Sequence, residues 1–321
     1  MSYTIRNACP GVAAPMATGD GLLLRLRQPL DGLSAEQARA IAATAEACGS
    51  GRLELTMRAG LQLRGITAGT QTEARERLVA AGVADADPDE EAVRNVVAAP
   101  LADLDPAATA PVAATARAIA QALVADPGLR ELPPKVGVVV DGGGRAHIGG
   151  VAGDIRVEAL ADGAFHLALG GTAEAATPLG RCPAGAVPAA VTALLRRFLA
   201  ERGRRTDPPG RLAAALDGTG IAPFREAAGL AATPPPPVRP AVTPRDLLGD
   251  RGRWLGAAFA FGELDARGLR TLADTLGPAG RLRLTPWRAV ALVGAADGAA
   301  EAATAAGALL DPEDPRLAVG A

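Results

Sequence analysis

The chain has 321 residues, 49% of them apolar and 2% aromatic, with a net charge of -2. That length allows two or three compact units with their own cores, and the balanced charge supplies no overall field for nucleic acid or a membrane surface. No apolar run approaches the roughly 20 residues of a membrane helix, and MSYTIRNACPG lacks the basic flank and apolar core of a signal peptide, so a cytoplasmic address is expected.

The first patterned region, residues 21–65, reads strand, loop, helix and two further strands. Ser34 and Gln37 form a capping box, and Ile41, Ala42, Ala45 and Cys48 give the helix its apolar stripe. GRLELTMRAGLQLRG, residues 51–65, then alternates with period two. Leu53, Leu55, Met57, Leu61 and Leu63 form its apolar face, and Arg52, Glu54, Thr56, Arg58, Gln62 and Arg64 its polar one. Next, VRNVVAAP places Arg94 and Asn95 ahead of an apolar run, and residues 107–125 read as an Ala-rich amphipathic helix with Pro111 as a break or first-turn residue.

KVGVVVDGGGRAHIGG and IRVEALADGAFHLALGG read as two hairpins with Gly-rich turns, which places His147 and His166 in strands with structural roles. DGGGR lacks the ending of a phosphate loop and precedes no helix, so it reads as a turn. Lys135, in ELPPKVG, is the one lysine among 33 basic residues. Either that is chance under a coding bias, or the position requires a compact, flexible ammonium. The helix VPAAVTALLRRFLAERG follows, and then the Pro-rich spacer ATPPPPVRPAVTPRD. Cys9, Cys48 and Cys182, with the two histidines, have no metal-ligand spacing, and Cys48 reads as a core thiol.

Residues 252–294 repeat the first region. Thr56 matches Thr285, Arg58 matches Arg288 with one residue inserted, and Gly65 matches Gly294. Asp265 caps the second helix, whose stripe is Leu269, Leu272, Ala273 and Leu276. Three strands and a helix are half of a ferredoxin-like sandwich, so the copies are expected to pair into one pseudo-twofold sheet. Apolar positions persist in both copies, whereas Gln62 and Arg64 become Ala291 and Val293. That loss points to an anion-binding face in the first copy, with surface charge or an inter-domain ion pair as the alternative. Arg58, Arg94 and Lys135 are three cations that can converge on one anionic group.

The ordered stretches ACPGVAAPMATGDGLLLRL, ELTMRAGLQLRG, VRNVVAAPL and LPPKVGVVVDGGGRAHIGG resemble the nitrite and sulfite reductase superfamily, and within it the precorrin-3B synthases of aerobic cobalamin biosynthesis. The resemblance implies an α+β fold: two ferredoxin-like half-domains, 12–80 and 247–321, flank a central α/β reductase-type module, 88–215, with residues 216–246 as a Pro-rich linker. It also implies an oxidoreductase that oxygenates a polycarboxylate precorrin at a meso carbon and closes a lactone, using dioxygen, reducing equivalents and an iron centre. A [4Fe-4S] cluster and sirohaem or non-haem iron are the family's expected cofactors.

Arg58, Arg94 and Lys135 match three basic positions of the family, and a second family lysine falls on Gly137. On this reading Arg58, Gln62, Arg64, Arg94, Asn95 and Lys135 hold tetrapyrrole carboxylates. Family members continue past DPEDPRL into two cysteine pairs that ligate the cluster, whereas this sequence ends at AVGA. The chain alone is therefore expected to be redox-silent, as a shortened chain, as a cofactor-free relative, or with the cluster segment on a separate polypeptide. An electron donor is a further expected partner. A sirohaem-dependent sulfite or nitrite reductase, and a non-catalytic tetrapyrrole-binding or assembly partner, are the alternatives.

Overall fold

The structure, a computed structural model, describes residues 10–318; Cys9, at the start of the ACPG stretch, lies outside them. Among the described residues no helix is long and apolar enough to cross a membrane.

The first half-domain runs β1 (Met16–Thr18), β2 (Gly21–Leu26), α1 (Ala35–Cys48), β3 (Arg52–Leu55), β4 (Leu61–Ile66) and α2 (Gln71–Ala80). The predicted capping box opens α1: Ser34 Oγ accepts the Gln37 N–H at 3.1 Å, and Gln37 Oε1 accepts the Ser34 N–H at 3.0 Å. Ala38, Ile41, Ala42, Ala45 and Cys48 then bury one stripe of the helix on the sheet. Leu53, Leu55, Leu61 and Leu63 bury the facing side of β3 and β4.

The central module adds α3 (Pro88–Val93), β5 (Val96–Ala98), α4 (Ala113–Val124), β6 (Val138–Asp141), β7 (Ile155–Ala159), β8 (Phe165–Leu169), β9 (Thr177–Cys182), α5 (Val187–Gly203), α6 (Leu212–Thr219) and α7 (Ala222–Ala227). Its sheet has the order β5-β6-β7-β8-β9, with β5, β6 and β7 parallel. The hairpin expected in KVGVVVDGGGRAHIGG is therefore absent. Val138, Val139, Val140 and Asp141 are all buried, as the continuous apolar run of a parallel strand requires.

The glycine-rich stretch after β6 is a loop tied down by carboxylates. Asp141 accepts the N–H groups of Gly143 and Ile148, and Asp105 accepts that of Ala146. His147 sits in this loop rather than in a strand, and its Nε2 meets the Pro240 carbonyl oxygen at 2.8 Å. The second hairpin, β7–β8, forms as expected, with His166 on β8. α4 starts at Ala113, later than the composition suggested, because the residues around Pro111 remain in turns. Phe224, on α7, is fully buried in the central core, so extended chain begins only near Ala231, which bridges to Arg181.

The second half-domain contains β10 (Gly249–Asp250), β11 (Leu255–Ala258), β12 (Glu263–Asp265), α8 (Ala266–Asp274), β13 (Leu276–Leu284), β14 (Ala289–Ala295) and α9 (Ala299–Ala305). The copies do not merge into the single sheet expected from the repeat. They form a five-stranded sheet, β1-β2-β4-β3-β12, and a four-stranded one, β10-β11-β14-β13. Each copy nevertheless lends its pre-helix segment to the other: Leu264 pairs with Leu53, and Leu33 with Leu282. α1 packs on α8, and one apolar core spans both copies.

Backbone conformation also corrects the alignment of the repeats. Thr56–Gly60 and Thr285–Ala289 are turns of equal length, each with a left-handed fourth residue, Ala59 at φ 52° and Arg288 at φ 54°. No residue is inserted, so the counterpart of Arg58 is Trp287.

Burial of His166 pushes its pKa below the ordinary value, against the opposing influence of Glu158 and the Thr233 backbone. The folded state therefore holds this imidazole neutral, while the unfolded chain protonates near pH 6.5. The stability that rests on the neutral form is complete above about pH 6.5 and is lost as pH falls toward the folded pKa, by at most about 1.4 kcal/mol per pH unit. Urea unfolding across that window should show the decline, and His166→Gln should flatten it.

Candidate functional site

The β3–β4 turn is fixed by its own hydrogen bonds. Thr56 N–H donates to the Gly60 carbonyl at 3.0 Å, and Gly60 N–H donates back to Thr56 Oγ1 at 3.0 Å. A side chain at Gly60 would come within 2.5 Å of the Leu26 carbonyl oxygen, so the turn presses directly on β2. From this platform Arg58 reaches the central module, where its Nη1 donates to the Ala152 carbonyl at 3.1 Å.

The central module supplies the opposite wall. Asn95, 8% exposed, donates through Nδ2 to the Val136 carbonyl at 2.7 Å, which holds the approach to β6 beside Arg58. Behind it, the Asp154 carboxylate is 1% exposed and accepts the N–H groups of Gly137 (3.0 Å) and Leu212 (2.9 Å). The same carboxylate receives both arms of Arg211, Nε at 3.1 Å and Nη2 at 3.0 Å, a geometry that fixes a guanidinium.

These walls enclose a cavity of about 170 Å³ lined by Arg25, Arg27, Arg58, Lys135 and Arg211, with Asn95 at its side. None of the described residues lining it is acidic. Five cations around so small a volume repel one another, and a bound anion relieves that repulsion. Two opposite charges about 4 Å apart attract by ~4 kcal/mol at an effective dielectric of 20.

Three of the six residues singled out in the sequence, Arg58, Asn95 and Lys135, meet here. Arg94 does not: it pairs with Asp85 and lines an adjoining cleft of about 790 Å³, which shares Arg27 with the cavity and where Asp31, Glu36, Glu90 and Glu91 mix with arginines. The expected convergence of Arg58, Arg94 and Lys135 is thus corrected: Arg94, the C-cap residue of α3, is drawn to Asp85 and lines the neighbouring cleft.

Gln62 and Arg64 stay on the polar face of β4 outside the cavity. Arg64 grips Asp20 at 2.8 and 3.1 Å and lies 3.6 Å from Glu54. The Thr18 hydroxyl and Arg64 together hold the Asp20 carboxyl below its usual range. With its amide oriented to satisfy both neighbours, Gln62 donates to Glu54 at 2.9 Å and accepts from Arg25 at 2.7 Å. Arg64 is therefore engaged by carboxylates of its own half-domain, and Gln62 reaches the cavity only through Arg25.

Sequence reasoning missed Arg25, Arg27, Arg211 and Asp154. The alternation in LLLRLR, which sets Arg25 and Arg27 two residues apart on one face, was the available signal for the first two. Asp154 and Arg211 lie far apart in the chain and carried none.

The metal chemistry expected of the family finds no fit in these residues. A [4Fe-4S] cluster needs four thiolates or close substitutes, and the sequence has three cysteines. Cys48 and Cys182 are buried in different cores, and burial pushes both thiols up. Among the described residues no group of three His, Cys, Asp or Glu side chains is placed to hold a metal ion.

Removing the Asp154 carboxylate should strand two buried N–H donors and release Arg211. Asp154→Ala should therefore cost about 3 kcal/mol in urea unfolding. Arg211→Ala should cost about 1 kcal/mol, since the Arg211 side chain is 43% exposed and Asp154 keeps its backbone donors.

Comparison with known proteins agrees with this architecture. Residues 14–81 match the nitrite/sulfite reductase ferredoxin-like half domain, and residues 89–234 match the nitrite and sulphite reductase 4Fe-4S domain. A precorrin-3B synthase from Sinorhizobium sp is 33% identical over 328 aligned positions, covering 98% of this chain and 68% of the relative. The NirA protein of Mycobacterium tuberculosis superposes with a TM-score of 0.76 at 21% identity, which shows a shared fold; the match covers 92% of this chain and 58% of that one. The chain belongs to the nitrite and sulfite reductase superfamily, within the family of precorrin-3B synthase.

Proposed function

We propose that this chain is a precorrin-3B synthase-like oxidoreductase polypeptide of cobalamin biosynthesis that binds a polycarboxylate tetrapyrrole at the junction of the first half-domain and the central module. The observation that carries this reading is the cavity lined by five cations and no described acid. Its volume of about 170 Å³ falls below the 300–1,000 Å³ typical of sites that enclose a whole small molecule. The cavity therefore takes a carboxylate-bearing arm, and the macrocycle lies outside it.

Each lining residue has a distinct task. Arg58 bridges the two units and offers a planar fork to a carboxylate, and Arg211 offers a second fork held still by Asp154. Lys135 is exposed and adds a flexible point charge at the mouth. Asn95 fixes the wall, while Arg25 connects the cavity to Gln62 and the Glu54–Arg64–Asp20 ion-pair ladder. These residues bind and orient; oxygenation of the ring belongs to iron chemistry that they do not supply.

One binding experiment tests this reading. An octacarboxylate porphyrin titrated by fluorescence should bind more weakly as salt rises. Arg58→Ala should weaken binding about 10- to 100-fold, in keeping with a lost charge-assisted hydrogen bond of ~1.5–3 kcal/mol. Arg64→Ala should change it less than threefold. Binding insensitive both to salt and to Arg58→Ala would remove the assignment.

A further inference from the structure

β5 is an edge strand of the central sheet, and it finds a further partner in a side chain of the first half-domain. Gln28 lies two residues beyond the end of β2 and is 9% exposed. It donates through Nε2 to the Ala98 carbonyl at 2.9 Å and accepts the Ala98 N–H through Oε1 at 2.8 Å. The primary amide thus does what the peptide of a neighbouring strand would do, satisfying both backbone groups of one residue. Pro29 follows directly and restricts the Gln28 backbone to extended conformations.

This clamp joins two walls of the cationic cavity. Arg25 on β2 and Arg27 just past its end line one side, and Asn95, Val96 and Val97 around β5 line another. Two other hydrogen bonds cross from the half-domain to the central module, Arg58 to Ala152 at 3.1 Å and Arg27 to Ala92 at 3.3 Å. Each uses a cation that lines the cavity. A guanidinium swings on a long stem, so neither contact fixes the spacing of the walls when a ligand draws on the same group. The Gln28 pair is neutral, buried and doubly bonded.

We infer that Gln28 is a positioning residue for ligand binding: its amide clamps the end of β2 to the edge strand β5 and so sets where Arg25 and Arg27 stand relative to Asn95 and Lys135 across the cavity. The inference rests on the proposed reading of the cavity and deepens it. Repulsion among the cations pushes the walls apart, and the clamp opposes it. Charge-assisted hydrogen bonds hold at about 2.7–2.9 Å, so walls that drift by roughly 1 Å lose them.

The test reads binding of an octacarboxylate porphyrin beside thermal melts. Gln28→Met keeps the length of the side chain and loses both bonds. At a temperature where its melt shows folded protein, it should bind at least tenfold more weakly than the unmodified chain. Cys48→Ala, which thins the half-domain core at a residue outside the cavity lining, should lower the melt and leave binding within twofold. In a chain carrying both Arg25→Ala and Arg27→Ala, Gln28→Met should cost less than a further twofold, because the cations it places are gone. A Gln28→Met chain that melts lower yet binds like the unmodified one, or whose effect multiplies in that background, would overturn the inference and leave the cavity assignment standing. Wild-type binding by Arg58→Ala would overturn the assignment itself. Hydrogen exchange on the unmodified chain decides the matter even if Gln28→Met fails to fold. Bound porphyrin should slow exchange of the Ala98 amide, which the clamp holds, at least threefold more than that of Ala99, which donates to Val140 inside the central sheet. Equal slowing of the two amides would refute the clamp's role.

Discussion

The reciprocal loan of one strand edge between the half-domains is the constraint on which the rest of the architecture depends. Leu264 completes the sheet beside Leu53, and Leu33 performs the same office beside Leu282. Neither copy can bury α1 or α8 without the other, since the two helices pack together over one apolar core. This exchange fixes the turns Thr56–Gly60 and Thr285–Ala289 in equivalent places. Two positions that geometry makes alike are then free to differ in chemistry.

They differ sharply. In the first copy the third turn residue is Arg58, which extends to Ala152 and lines a cavity of cations. Its counterpart Trp287 packs against the apolar cluster of the central module, with Ala146, Leu247 and Ala291 close by. One half-domain thus turns a cation toward the cavity, and the other packs an indole into apolar surroundings. A ring of positive charge is costly to hold empty. Part of that cost is offset from just outside the cavity, where Asp154 pairs with Arg211 and Gln62 links Arg25 to Glu54.

Much of this was legible in the residues, because the signals were local. The capping box at Ser34 and the alternation in RLEL are statements about neighbours in sequence, and each took the expected form; the repeat kept its elements but formed two sheets instead of one. Other features depend on what lies across the fold. VVVD is compatible with a hairpin arm or a buried parallel strand, and only the neighbours β5 and β7 decide between them. The two turns were aligned on their arginines because a left-handed backbone at Ala59 or Arg288 leaves no mark when the residue is not glycine. Arg94 adjoins Asn95 in sequence, yet the end of α3 sends the two side chains to different cavities. Arg211 was invisible because its role exists only through Asp154.

Whether the cationic cavity at the β3–β4 turn receives a carboxylate arm is decided by a crystal structure of the chain with a bound octacarboxylate porphyrin. A carboxylate should lie within hydrogen-bonding distance of Arg58, with Lys135 or Arg211 as a second contact. A porphyrin seated instead in the mixed-charge cleft beside Arg94 and Arg117, with the cavity at Arg58 untouched, would contradict it.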